Sequence, residues 1–89
     1  MYAIIFFIHN GNHCLVINVV DKKFLVAFGK NLKSIRKNHI LSQAELAADA
    51  DLTLSQIARI ETGRINTTIC TVKRIAKTLK VDISDLFKF

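Results

Sequence analysis

From residue 22 onward the apolar positions recur at helical spacing. Leu25, Phe28, Leu32 and Ile35 fall three or four residues apart, which predicts one amphipathic helix from Lys23 to about Asn38. Its other face carries Lys30, Lys33 and Lys37. A start signal follows in Leu41-Ser42-Gln43-Ala44-Glu45-Leu46. Ser42 can cap, Glu45 can reach back to it, and Leu41 can staple to Leu46. That second helix runs to about Ala50. The same pattern returns in Leu52-Thr53-Leu54-Ser55-Gln56-Ile57, with Thr53 as cap and Gln56 closing the box. This third helix is predicted to end at Gly63, where glycine supplies a left-handed conformation. A fourth starts near Thr68 and buries Ile69, Val72, Ile75, Ala76 and Leu79. A last turn begins at Asp82 and places Leu86 and Phe87 inward. The region 22–89 therefore reads as five short helices.

Only Asp51, Leu52 and Thr53 separate the second helix from the third. So short a link forces the two rods to cross sharply, which is helix-turn-helix geometry. Small side chains at Ala47 and Ala50 allow the close crossing. In such a unit the second rod projects its N-terminal end, and that end fits the major groove of DNA.

Residues 1–21 follow a different pattern. The stretches Tyr2–Ile8 and Cys14–Val20 are rich in Ile, Val and Phe, and Asn10-Gly11 between them favours a tight turn. They predict a β-hairpin whose arms are apolar on both faces and need cover. A lone hairpin is marginal in water. Its strands are expected to pack on the helical part or to pair with a second chain; the alternative is a loosely held tail. A signal peptide is not expected, because no cation precedes Asp21. Nor is a membrane span, since His9, Asn10, Gly11, Asn12 and His13 would fall at the bilayer centre.

Composition sharpens this division. The chain has 89 residues, enough for one small domain and too few for a large enzyme cleft. Lys and Arg total 13 and Asp and Glu total 7, a net charge of +6. Residues 1–21 carry no Lys or Arg and the single acid Asp21, so residues 22–89 hold +7. A basic domain this small points to an anionic partner, nucleic acid before a membrane surface. Cys14 and Cys70 are too few for a disulfide scaffold and read as free thiols in a reducing cytoplasm.

On these residues the chain resembles the Cro and phage-repressor type of helix-turn-helix domain, also called the xenobiotic response element family. The resemblance covers residues 28–87, in FGKNLKSIRK, LSQAELAADADLTLSQIARIETGR and TVKRIAKTLKVDISDLF. The chain departs from the family at two places. Asp51 stands where the family usually has glycine, and Asp tolerates the left-handed region better than most residues. The family often has proline ahead of its fourth helix, where this chain reads Asn66-Thr67-Thr68, and Thr68 can cap without it. The expected fold is mainly α: a five-helix, repressor-like domain over 22–89, preceded by the apolar extension 1–21 with its hairpin.

The resemblance puts base reading on the exposed face of the third helix, at Leu54, Ser55 and Arg59. Helical phase agrees in part, since Ile57 and Ile60 point inward and leave 54, 55, 58, 59 and 62 outward. Arg59 can bridge guanine O6 and N7, worth roughly 1–3 kcal/mol of discrimination. Ser55 could bond a base edge or a phosphate. Leu54 could touch a thymine methyl, or be a surface leucine without a role. By resemblance Gln43 holds a phosphate, with help from backbone N–H groups beside it. Gln56 has two roles open to it, closing the capping box or contacting DNA. Thr62 and Arg64 look like further phosphate contacts. Lys30, Lys33, Lys37, Lys73, Lys77 and Lys80 read as solvated helix faces. The resemblance also implies a partly buried ion pair between Arg36 and Glu61, a structural assignment.

No catalytic constellation is present, and an enzyme is not expected. His9, His13 and Cys14 match no zinc spacing and lack a fourth ligand, so neither metal nor cofactor is expected. The expected protein is cytoplasmic, has no membrane partner, and binds double-stranded DNA as a homodimeric prokaryotic or phage regulator of transcription. Its dimer interface is expected around Leu86, Phe87 and Phe89 or on the amino-terminal strands. A restriction-modification controller and an antitoxin use the same bare domain, and an antitoxin would also bind a toxin protein, for example through residues 1–20. Deleting residues 1–21 and measuring sedimentation tests the strands' part in assembly: a shift from dimer to monomer assigns them the interface, and an unchanged state removes it.

Overall fold

The computed structural model describes the backbone of residues 5–8, 13–16 and 20–89 and the side chains of 20–89. Two strands, β1 (Ile5–Ile8) and β2 (His13–Val16), pair antiparallel with Ile5 opposite Val16 and Ile8 opposite His13. The turn expected at Asn10-Gly11 and the outer ends of both arms lie outside the described residues, as do the side chains of His9, His13 and Cys14.

Four α-helices follow: α1 (Lys22–Asn38), α2 (Gln43–Asp49), α3 (Leu54–Glu61) and α4 (Ile69–Leu79). The fifth predicted helix is a 3₁₀ helix, Ile83–Phe87, a form suited to so short a run. Each start has a physical cause. Asp21 caps α1 by accepting the Phe24 N–H, and Thr68 caps α4 by accepting that of Thr71. Ser42 with Glu45, and Thr53 with Gln56, form complete capping boxes on α2 and α3. The Ser42 backbone N–H that Glu45 accepts holds its carboxyl below the ordinary carboxylate range.

The core is one cluster. Leu32 from α1, Leu46 from α2, Ile57 from α3, Ile75 and Leu79 from α4, and Leu86 are sealed from solvent. Each such side chain contributes about 1.5–3 kcal/mol relative to exposure. Asn31 ties the 3₁₀ helix to α1 by donating to the carbonyls of Asp85 (3.0 Å) and Leu86 (2.8 Å).

Two expected core positions are corrected. Ile69 is 80% exposed. It keeps the phase of the α4 stripe but stands at the helix's first position, beside an open apolar groove lined with Phe24, Phe28, Ile65 and Phe87. Phe87 is 44% exposed, because one side of its ring packs on Phe28 and Phe24 while the other faces water.

The turns sit where the chain is short. Asp51 takes φ 58° between α2 and α3, and the Leu52 N–H then bonds back to the Ala47 carbonyl at 2.8 Å. Gly63 takes φ 71° after α3, and Lys22 Nζ donates to its carbonyl at 2.8 Å. Ile40 also lies in the left-handed region, at φ 57°, an uncommon place for a β-branched residue. Gly29 marks the closest approach of α1 to α3: a Cβ there would strike the carbonyls of Ile60 and Glu61. No described helix is long and apolar enough to cross a membrane.

These two positions give opposite expectations in thermal melts. Ile40→Gly relieves left-handed strain and raises stability by about 1 kcal/mol. Gly29→Ala forces α1 off α3 and lowers it by about 1–3 kcal/mol. A stabilising Gly29→Ala would contradict the close approach.

Candidate nucleic-acid interface

The site is built on α3. Ile57 and Ile60 are buried, which anchors the helix and turns Ser55, Arg59 and Thr62 to solvent on one face. Leu54 is 52% exposed at the helix start. Ala47 and Ala50 are buried beneath the crossing, as their small size requires.

The expected contact residues differ in what they have left to offer. The exposed Arg59 guanidinium has no partner among the described residues, so all its donors are available. The same holds for the side chains of Arg64 and Ser55. Gln56 serves its cap through Oε1 alone, which accepts the Thr53 N–H at 2.9 Å. Its two amide N–H groups remain unpaired among the described residues, so capping and an outside contact are compatible. Thr62 is committed otherwise. Its hydroxyl donates to the Ala58 carbonyl at 2.9 Å and lies 3.3 Å from that of Arg59. A hydroxyl has one proton, so bonding a phosphate there would require rotation away from the helix.

Beneath this face lies the one ion pair with both partners buried among the described residues. Arg36 Nε reaches Glu61 Oε2 at 2.6 Å and Nη2 reaches Oε1 at 2.9 Å, a bidentate pair joining α1 to α3. Arg36 Nη1 also donates to the Leu41 carbonyl at 2.7 Å, just before α2. The hydrogen bond to Glu61 raises the Arg36 pKa further above its already high ordinary value. Gln43, half-buried at the start of α2, donates from Nε2 to Glu61 Oε1 at 2.9 Å. Gln43 is thus held from behind by a carboxylate, with its second amide N–H unpaired among the described residues.

One cation escaped the sequence reading. Arg74 on α4 is exposed and lies 3.4 Å from the Asp51 carbonyl, at the turn that precedes α3. Helical phase shows that residue 74 points outward, but nothing in a linear pattern says that it faces residue 51. Lys30, Lys33, Lys37, Lys73, Lys77 and Lys80 are all exposed.

Comparison with known proteins came to the same region. Residues 32–86 match the profile of the helix-turn-helix family HTH_3. Over 56 residues the chain is 38% identical to the immunity repressor protein of Bacillus phage phi105, which is 63% of this chain and 39% of that protein. Over 63 residues it is 35% identical to the control protein C.MunI of a Mycoplasma species, covering 70% of this chain and 85% of that one. Among solved structures, the restriction-modification controller protein C.AhdI from Aeromonas hydrophila superposes with a TM-score of 0.70 at 32% identity. That likeness covers 71% of this chain and 96% of the other.

The geometry separates stability from surface chemistry. Glu61→Ala strands a buried guanidinium and is expected to lower unfolding free energy by about 3–5 kcal/mol. Arg59→Ala removes an exposed, unpaired side chain and is expected to change it by less than about 0.5 kcal/mol. Denaturant titrations check both, and equal losses would contradict the assignment.

Proposed function

The chain belongs to the helix-turn-helix family, and from that premise we propose that it regulates transcription by sequence-specific binding of double-stranded DNA. In this reading α3 lies in the major groove. Arg59 bridges guanine O6 and N7, Gln56 donates to a base edge, and Ser55 and Leu54 make the smaller contacts. Gln43 and Arg64 hold phosphates on either side, and Arg74 adds another. Thr62 takes part only if its hydroxyl turns outward. The observation that carries this reading is the exposed Arg59, unpaired among the described residues, on a helix seated by Ile57 and Ile60 and started by a complete cap.

One recognition helix reads only a few base pairs, so we take the working form to be a homodimer on a two-fold site with half-sites about 34 Å apart. Leu86 is fully buried and offers no surface. The carboxy-terminal face is made instead by Phe24, Phe87 and Phe89, with Phe24 5.4 Å from Phe89 and 6.2 Å from Phe87 between ring centroids. That aromatic face supports the dimer. A role of the controller type is an alternative within the class, supported by the likeness to C.MunI at 35% identity and to C.AhdI at 32%. We read the chain as a binding protein and not a catalyst, working in the cytoplasm where DNA is.

Selection of bound duplexes from a random pool tests the reading directly. A two-fold symmetric site with half-sites one helical turn apart is expected. Arg59→Ala should then relax one position of each half-site by about 1–3 kcal/mol. A pool that shows no enrichment at low salt would overturn the proposal.

A further inference from the structure

The buried pair does more than hold two helices together. Glu61 Oε1 accepts from Arg36 Nη2 and from Gln43 Nε2, both at 2.9 Å. Glu61 and Arg36 are buried, whereas Gln43 is half-buried. One amide proton of Gln43 is therefore fixed on a rigid acceptor, while its partner proton has no intramolecular acceptor among the described residues. A free glutamine would have to immobilise its side-chain torsions on meeting a ligand. Here that ordering is already in place. The orientation of the amide follows from chemistry, because only the nitrogen can donate to a carboxylate.

A carboxylate behind an anion-binding amide would ordinarily oppose binding. The bidentate contact with Arg36, at 2.6 and 2.9 Å, removes that objection by neutralising Glu61 in place. Arg36 also donates to the Leu41 carbonyl, so the guanidinium grips the chain on the other side of Ser42 from Gln43. The pair thus touches the entrance to α2 at two points.

We propose that Glu61, kept neutral overall by Arg36, is the positioning residue that presents the Gln43 amide to a DNA phosphate. The inference rests on the reading above that Gln43 faces the DNA backbone. It makes the ion pair a determinant of affinity as well as of folding.

A double-mutant cycle on the full chain tests it, using the duplex recovered from the random pool. Replacing the pair by apolar residues, Arg36→Met with Glu61→Met, avoids leaving either charge stranded. Affinities are measured at a temperature where circular dichroism shows every variant folded. Gln43→Ala is expected to weaken binding about tenfold in the native background. In the double-methionine background it should cost less than about threefold, since the amide there is no longer held. Equal losses in both backgrounds overturn the positioning role and leave the phosphate contact standing. No loss in either background overturns the contact itself, and the positioning role with it. A measurement on the unmodified chain covers the case in which the double variant does not fold. By nuclear magnetic resonance, the Gln43 amide proton that faces Glu61 should exchange with solvent more slowly than its geminal partner in the free protein, and that partner should move on adding duplex. Equal exchange of the two protons, or no movement of the outward one, would refute the proposal.

Discussion

A buried carboxylate has to be neutralised, and the way this chain neutralises Glu61 relates three helices to one another. The acid comes from α3, the guanidinium from α1, and the third contact from Gln43 at the head of α2. Arg36 and Glu61 retain only 6% and 5% of their accessible surface, so neither can exchange its partner for water. No described buried side-chain polar atom is left without a partner. Directional bonds of this kind add to the apolar core something that core packing alone does not supply. They specify the rotation of α3 about its own axis, and so which side of it is presented outward.

Steric limits complete what the ion pair begins. Gly29 lets α1 lie against the last carbonyls of α3, close to where Glu61 emerges. Ala47 and Ala50 let α2 cross beneath. The left-handed turn at Asp51 reverses the chain within a link too short for a loop. These features act in one direction: they bring α3 down on a narrow seat of Ile57 and Ile60 and leave its other side clear of the described residues. The domain tolerates Ile40 in a left-handed conformation just past the end of α1, and that residue is 89% exposed. Nothing in the structure accounts for an isoleucine there.

Polar and apolar surfaces fall in different places. The guanidiniums of Arg59 and Arg64, unpaired among the described residues, belong to α3 and the segment after it. The half-exposed rings of Phe24, Phe87 and Phe89 belong to α1 and the chain's last residues. In the proposed homodimer this division gives the duplex and the partner copy separate contact surfaces.

The local structure was largely legible in the linear sequence, because caps and helical periodicity act over four or five residues. Ser42 with Glu45 and Thr53 with Gln56 form the boxes their spacing implies. Asp51 adopts the left-handed conformation that a three-residue turn needs. Patterning misread Ile69 and Phe87 as buried, because phase says which way a side chain points and not whether an element stands there to cover it. That Gln43 bonds Glu61 and that Arg74 reaches Asp51 were decided by tertiary structure. Which proton or lone pair remains free depends on angles between atoms, and for Gln43 and Arg74 on partners 18 and 23 residues away. No local pattern encodes a contact that exists only once the helices are packed.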